Sequence, residues 1–565
     1  MVILGINISG FHSSACLVID GEIKAAIMEE RLSRLKRDKN FPKQSIKYCC
    51  KIAGVSFEDI TDVYVGWNPA TYMYRSDNTI SDALKDRGKM AYLALNELAS
   101  MSDYNSLQIE QEIKTINSNI KVHFVNHHHA HLSNSFFTSG FESSDYFVAD
   151  GFGENTTGLI GTIDYSKIET ISNLRTPHSL GSFYSTFTEF LGFHPNGDEW
   201  KVMALASLGN PNKYYDKVRN LIKLDDLNFE LDLSYFEHYM FFTQNYFSPK
   251  FIKEFGNPIS KLEELTEYHY DLVAAVQKVA EDVSIEILNN IQSKTQSKNI
   301  IVAGGFFMNS VLNGKILEKT QYENIHIGGS PDDSGISIGS ALYGLVFDKN
   351  QKTILPKLQH NYYGFEFSDN DIISELKKRK IKFTIVDDVE VFAAKKLREK
   401  NIIAWFQGKS EFGQRALGNR SILADPTFDD VKDKVNSSIK YREGFRPFAP
   451  SVLEEKENIY FHIVKGQHSY FMEKVFMFKD EYKDKLPGVV HFDGSGRIQS
   501  VSKKTNPKYH KLICEFEKLS GYAIVLNTSF NINGMPLVES PSDAINCFYK
   551  SGIDYLVMNN IVIEK

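Results

Sequence analysis

Cysteine is scarce in this chain and badly placed for cross-linking. Cys16, Cys49, Cys50, Cys514 and Cys547 are odd in number and show no CxxC spacing, which argues against a disulfide framework and against a zinc knuckle. A reducing, cytoplasmic setting is the expectation. Long apolar runs are missing too: no stretch reaches the roughly 18 residues that suggest a membrane span. The opening Met1-Val2-Ile3-Leu4-Gly5-Ile6-Asn7 lacks a basic leader and a cleavage site, and reads as a first strand rather than a signal peptide. There is no basic excess, since 64 Lys plus Arg stand against 71 Asp plus Glu for a net charge of −7. That balance argues against a polyanion-binding surface over the whole molecule, and no basic arm for nucleic acid is visible. What remains is an ordinary soluble composition, 42% hydrophobic and 24% charged over 565 residues, enough for about two to four domains.

The run Val125-Asn126-His127-His128-His129-Ala130-His131 organises the chain. Val122, Phe124 and Val125 read as a strand end and residues 130–137 as the start of a helix. If the helix begins at the run, His127 and His131, four apart, share one face as a metal-gripping pair does, while His128 and His129 point elsewhere. A solvated, histidine-rich helix start is the alternative for this cluster alone. Asp150, in Asp150-Gly151-Phe152-Gly153-Glu154, offers a carboxylate to complete such a site. The pair Asp332-Asp333 offers a second at a strand C-terminus, where α/β sites gather.

Other segments read as an α/β layer with ligand loops. Ile3–Ile6, 15–19 and 23–27 alternate as strands, with Asp20-Gly21 as a hairpin turn. The small and hydroxylated loop Gly10-Phe11-His12-Ser13-Ser14 can offer amides to a phosphate. Glu29-Glu30-Arg31 and the charged residues to Asp38 read as a solvated face. Amphipathic helices are expected at 43–53 and 81–100. Lys201 enters an apolar helix, where it can reach an anion. The aromatic-rich stretch 210–262 suits an insertion that shapes an acceptor pocket. A strand ending at Gly304-Gly305, followed by a helix with Asn309 and Asn313 on one face, forms a nucleotide-type turn.

After a linker at 347–360 the character changes. Arg415, Arg420, Lys440, Arg442 and Arg446 lie among glycines, prolines and buried-looking aromatics rather than on a polar helix face. Such forks suit phosphate and carboxylate oxygens, with structural ion pairs as the alternative. Arg497 and the strand-end run Leu526-Asn527-Thr528-Ser529-Phe530-Asn531 add to the same region.

Taken together, the segments around His12, Glu29–Arg31, His127–His131, Asp150–Glu154, Lys201-Val202-Met203, Gly304-Gly305, Asp333, Gln414–Ser421, Arg446–Pro450 and Leu526–Asn531 resemble the NodU/CmcH family of O-carbamoyltransferases over almost the whole chain. The resemblance implies an α/β protein with an actin-like ATPase (ASKHA, Kae-type) domain at 1–350 and a YrdC-like α/β domain at 351–565. It further implies that the second domain joins the carbamate of carbamoyl phosphate to ATP, giving carbamoyladenylate and pyrophosphate. The carbamoyl group would then pass internally to a hydroxyl of a small-molecule acceptor in the first. By motif, Arg415, Lys440, Arg446, Arg497, Asn527 and Ser529 would contact carbamoyl phosphate. Gly151, Gly153, Glu154, Gly304, Gly305, Asn309 and Asn313 would bind ATP, with Mg, or the adenylate. His127, His131, Asp150 and Asp333 would hold a divalent metal, Fe(II) in the family, although donor type equally admits Mn(II) or Zn(II). His12 would act as general base, and Lys201 is the second catalytic candidate. A sugar, an antibiotic or another secondary metabolite is the expected acceptor class, and the molecule is expected to be a monomer or homodimer.

Two positions depart from the family: Ser13 stands where it has Asp, and Ala204-Leu205-Ala206-Ser207 replaces a Gly-Leu-Ala-Pro segment. The competing functions are an actin-like-fold kinase, which leaves the C-terminal arginines unexplained, and a non-catalytic nucleotide sensor, which leaves the histidine and carboxylate set unexplained.

Overall fold

The computed structural model describes residues 1–8, 11–68, 71, 111–115, 118–240, 243–260, 264–351, 354–441, 446–464 and 466–565. The helix expected at 81–100 and the cation Arg442 lie outside the described residues. The chain forms two compact units: Met1–Lys24, Lys39–Ile46 and Gly54–Leu358 make the first, and Ala25–Asp38, Lys47–Ala53 and Gln359–Lys565 the second.

The first unit is built on two five-stranded sheets. Strands β1 (Val2–Asn7), β2 (Ser14–Ile19), β3 (Glu22–Met28), β4 (Asp62–Val65) and β5 (Lys121–Phe124) lie in the order β3-β2-β1-β4-β5. In it β2 runs antiparallel to β1, whereas β4 and β5 continue parallel. The turn from β2 to β3 places Asp20 at φ 50° and Gly21 at φ 89°, the two left-handed residues a tight hairpin demands. A second set repeats the pattern: β6 (Ser143–Ala149), β7 (Thr156–Asp164) and β8 (Ile168–Arg175) meander, and after the small hairpin β9 (Ile222–Asp225) and β10 (Asn228–Leu231) come β11 (Asn299–Ala303) and β12 (Asn324–Ile327). Their order, β12-β11-β6-β7-β8, with β11 parallel to β6 and β12 parallel to β11, is again third, second, first, fourth, fifth when read from the β8 edge. This duplicated mixed sheet is the actin-like architecture.

The helices His127–Phe136 and Ile336–Tyr343 pack against one another at backbone distance. A Cβ on Gly339 would stand 1.8 Å from the carbonyl oxygen of Ala130, so only glycine admits this approach. The aromatic stretch after 210 turns inward. Phe236, Phe247, Phe251 and Phe255 are buried against Phe183, Phe187 and Phe190 of the helix Leu180–Phe190, with Phe251 0% exposed and ring centroids as close as 4.6 Å. These rings form a core, a correction to the expectation that they shape an acceptor pocket. Hydrophobic burial placed them where a periodicity argument cannot look.

The second unit carries an eight-stranded mixed sheet. Its members are β13 (Thr384–Ile385), β14 (Ile403–Phe406), β15 (Arg420–Ala424), β16 (Ala449–Leu453), β19 (Gln499–Val501), β20 (Ile524–Ser529), β21 (Tyr555–Met558) and β22 (Ile561–Glu564), beside a two-stranded ribbon of β17 (Val475–Met477) and β18 (Ser495–Arg497). The order is β13-β22-β21-β14-β15-β20-β16-β19, and the helices Val389–Arg398, Pro507–Ser520 and Pro541–Tyr549 contribute to its apolar core. Arg420 sits in this core at 0% exposure, its guanidinium 3.6 Å from the Phe406 ring centroid.

Candidate active site

His127 opens the helix His127–Phe136 and His131 follows one turn later, so both imidazoles leave the same face. Asp150 lies just past the end of β6, and Asp333 opens a single helical turn just before Ile336–Tyr343. The four side chains converge, with one ligand atom from each within 4.8 Å of all the others. His131 Nε2 is 2.8 Å from Asp150 Oδ2 and 3.4 Å from Asp333 Oδ1; His127 Nε2 is 3.4 and 3.7 Å from the same oxygens and 3.2 Å from His131 Nε2. Bonds of about 2.1 Å to a first-row ion put neighbouring donors about 3.0 Å apart at right angles and about 3.4 Å apart at the tetrahedral angle. The observed edges bracket those values, so the quartet fits a divalent ion in type and spacing.

Electrostatics point the same way. Burial alone would depress His131, but its hydrogen bonds to Asp150 and Asp333 and their charges outweigh burial and raise it to about 10. Against its own burial, Asp150 is held well below the usual carboxylate range by His127 and His131. Two buried carboxylates therefore demand compensating positive charge at this point, which a proton or a metal ion can supply. The other imidazoles turn away as the helical spacing predicts. His128 Nδ1 is 2.7 Å from Thr156 Oγ1, and the His129 ring stacks on Tyr343.

Three residues, Asn7, Ser14 and Glu154, frame the quartet in roles the sequence did not disclose. Asn7, at the end of β1 and 0% exposed, donates from Nδ2 to the backbone carbonyls of both His12 (2.5 Å) and Asp333 (2.8 Å), tying the loop of the expected base to that of a ligand. A polar residue closing the apolar run Ile3-Leu4-Gly5-Ile6 was the available signal. Ser14 adds a second tie, donating to Ser334 O at 2.9 Å. Glu154, expected at the nucleotide, instead accepts with Oε1 from the backbone amides of Asn68 (2.7 Å) and His127 (2.8 Å) and so anchors the helix start. The amide of the first helical residue has no intrahelical acceptor, and a carboxylate answers it.

The expected nucleotide turn is present in outline. Gly304, at φ 92°, ends β11 where a Cβ would meet Ala149 O at 2.2 Å, and a Cβ on Gly305 would meet Asp150 Oδ1 at 2.9 Å. Gly151 is partly open, while Gly153 lies against the His128 ring. Asn309 is not on the helix face but caps the helix Ser310–Lys319, accepting from Leu312 N. Its amide exchanges hydrogen bonds with Gln277 at 2.9 and 3.0 Å. Asn313 donates to Phe307 O at 2.7 Å. Both amides, like the Glu154 carboxylate, are hydrogen-bonded within the first unit. Lys201, inside the helix Glu199–Leu205, pairs with Asp198 at 3.1 Å under the Phe193 and Trp200 rings.

In the second unit, Lys440 is 4% exposed and places Nζ 3.2 Å from Ser529 Oγ, 2.8 Å from Asn531 Oδ1 and 3.1 Å from Asn531 O. Asn531 is the member of this group that sequence reasoning left without a role. Arg446 is buried; Arg415 and Arg497, the latter on β18, are half-buried. Asn527 is 1% exposed; its Nδ2 donates to Ala416 O, Ser451 Oγ and Gln499 Oε1, while Oδ1 is buried without a partner among the described residues. The segment Glu29-Glu30-Arg31, expected on a solvated face, is buried at 2 to 3% exposure.

Known proteins agree with this two-part layout. Residues 2–342 match the family model for the carbamoyltransferase N-terminus and residues 394–565 that for the carbamoyltransferase C-terminus. An uncharacterized protein of Synechocystis sp. is 34% identical over 606 residues, covering 100% of this chain and 96% of that protein. Nodulation protein NolNO of Sinorhizobium fredii is 33% identical, covering 98% of this chain and 78% of its own. A crystal structure of full-length HypF covers 60% of this chain and 46% of that chain at 16% identity, but with a TM-score of 0.30 it carries no weight. With both family segments matched in order and relatives spanning the full length, the chain belongs to the carbamoyltransferase family.

Proposed function

We propose that the chain is an ATP-dependent O-carbamoyltransferase. In the second unit one water cleaves carbamoyl phosphate to carbamate and phosphate, and the carbamate oxygen then attacks the α-phosphorus of ATP, forming carbamoyladenylate and expelling pyrophosphate. The carbamoyl group then moves to a hydroxyl of a small-molecule acceptor at the histidine–carboxylate site of the first. The observation that carries this reading is the convergence of His127, His131, Asp150 and Asp333 in a chain whose two segments match the carbamoyltransferase N- and C-terminus, the second of which contains Arg415, Lys440, Arg446 and Arg497 as buried or half-buried cations.

Each group has a stated task. The Lys440 ammonium and the Arg415, Arg446 and Arg497 guanidinium groups neutralise the phosphate oxygens of carbamoyl phosphate, the arginines as bidentate forks. Ser529 offers a hydroxyl beside Lys440. Because the Asn527 amide nitrogen is already taken, that residue meets the substrate through Oδ1, an acceptor suited to the carbamoyl amine hydrogens. In the first unit Gly151, Gly153, Gly304 and Gly305 would contact the adenylate, Gly151 being the open position among them, with Mg accompanying ATP. His12, its loop held by Asn7, takes the proton of the acceptor hydroxyl. His127, His131, Asp150 and Asp333 would hold a divalent ion, Fe(II) ahead of Mn(II) or Zn(II), which when bound supplies Lewis-acid polarisation of the carbamoyl or phosphoryl oxygen. Burial of the quartet keeps water from the labile anhydride.

Incubation with ATP, carbamoyl phosphate and a panel of hydroxylated metabolites, followed by mass spectrometry, tests the proposal. Pyrophosphate and a carbamate ester are expected, and Lys440→Met should abolish pyrophosphate release. ADP without carbamate ester would mark a kinase, and no turnover a sensor; either refutes the reading.

A further inference from the structure

Arg31 belongs to the short helix Glu29–Ser33, and its side chain is 2% exposed. No carboxylate lies within salt-bridge reach of it among the described residues. It spends its fork on backbone instead: NH2 donates to Gly413 O at 2.7 Å and to Glu411 O at 3.3 Å. The next residues are Gln414 and Arg415.

The same loop is gripped from its far end. Glu411 turns Oε1 onto the backbone amides of Leu417 (2.7 Å), Asn419 (2.8 Å) and Arg420 (3.1 Å). Asn527 Nδ2 and Gln499 Nε2 hold the carbonyls of Ala416 (3.2 Å) and Leu417 (2.7 Å). Backbone groups on both sides of Arg415 are therefore fixed: on the leading side Asn361 exchanges hydrogen bonds with Phe412 (2.7 and 3.3 Å), and Arg31 is the group that holds Gly413, two residues before Arg415. Scaffolding alone would favour an apolar side chain here, since a buried guanidinium whose hydrogen bonds all go to carbonyls is expensive even with the charges of Glu539, Glu30 and Glu411 acting on it. Its NH1 is buried with no acceptor among the described residues, a further cost. Such costs persist where a geometry is needed.

We propose that Arg31 is a positioning residue that sets the backbone of the anion-binding loop 411–420 and thereby aims Arg415. This rests on the reading of Arg415 as a carbamoyl phosphate contact. The docking of the segment itself does not depend on Arg31. Arg34 donates to Leu537 O (2.7 Å) and Pro536 O (2.9 Å) and lies 3.5 Å from Asp543, while Glu30 accepts from Lys36 and from the Arg37 backbone. Arg34, which also donates to Arg31 O at 3.3 Å, thus anchors the segment and the Arg31 backbone without touching the loop, and provides the control for loss of segment anchoring alone.

In the full-length protein, Arg31→Lys, Arg31→Met and Arg34→Met would be compared by pyrophosphate-release kinetics, amide hydrogen exchange of the peptide spanning 411–420, and thermal unfolding. Both Arg31 variants should raise KM for carbamoyl phosphate about tenfold to a hundredfold, leave KM for ATP essentially unchanged, and speed exchange at 411–420. Arg34→Met should lower Tm without either effect. The proposal is overturned if Arg31→Lys exchanges and binds as wild type does, or if Arg34→Met reproduces the rise in KM. If the wild type itself releases no pyrophosphate, the carbamoyladenylate reading fails on its own, and the exchange data still decide whether Arg31 orders the loop.

Discussion

Replacing Glu154 by alanine should weaken the metal quartet while leaving all four ligands in the sequence. One oxygen of this 3%-exposed carboxylate serves two buried backbone amides, Asn68 at 2.7 Å and His127 at 2.8 Å. Each orphaned amide costs about 1–3 kcal/mol, so the pair sets a range of about 2–6 kcal/mol. Burial raises the Glu154 pKa, so removing the carboxylate also removes a desolvation cost. The expected loss is therefore at the low end, about 2–3 kcal/mol. His127 loses its anchor and His131 rides on the same helix, so affinity for a divalent ion should fall about tenfold to a hundredfold, as when supporting groups of metal ligands are removed. Glu154→Gln keeps an acceptor oxygen and should cost under about 1 kcal/mol. Urea unfolding and metal competition against a chelator, run on the same three proteins, provide the readouts. Wild-type unfolding and wild-type ion affinity in the alanine variant would refute the anchoring role. A change in KM for ATP alone would return Glu154 to the nucleotide.

Asp145 is fully buried, with Oδ2 accepting from Thr295 and Tyr322, each at 2.6 Å, and burial raises its pKa. A raised folded pKa gives stability that is full below the unfolded value of about 3.9 and is lost as pH rises through the folded value. Asp145→Asn should therefore gain on the wild type as pH climbs from acid to neutral in urea titrations, and a gap independent of pH would contradict this. Gly304→Ala, forced to φ 92° with its Cβ 2.2 Å from Ala149 O, should cost at least about 1–2 kcal/mol from backbone strain and weaken ion binding by shifting the residue beside Asp150; an unperturbed chelator competition would speak against that. Phe251→Ala should lose about 3–5 kcal/mol in urea unfolding while leaving acceptor KM unchanged. A selective rise in acceptor KM would restore the aromatic stretch as a pocket wall.

Much of the first unit could be read from local chemistry. Asp20-Gly21 announces its hairpin because both residues tolerate left-handed backbone. His127 and His131 announce a shared face because a helix repeats every 3.6 residues. Other readings meet their partners only in the fold. Asn309 and Asn313 read as nucleotide contacts by residue type, Glu154 through the family resemblance, and the aromatics after 210 as a pocket wall. In the fold their polar atoms answer backbone amides, carbonyls and neighbouring amides, and their rings fill a core. Glu29-Glu30-Arg31 looked solvated because a charge run normally is, yet its partners lie hundreds of positions away, Glu411 and Gly413 among them.

The sequence by itself therefore determined the strand and helix periods, the turns, and the supply of imidazole, carboxylate and guanidinium groups. Tertiary structure alone decided which of them meet. Asp333 reaches the histidine pair because the helix that follows it packs on His127–Phe136 at glycine-limited distance, and Asp150 arrives from the end of β6, so that segments 23 and about 200 residues away meet at one point. A side chain's partner is a property of its neighbours in space, and residue type constrains what it can bond to but not what it will find there.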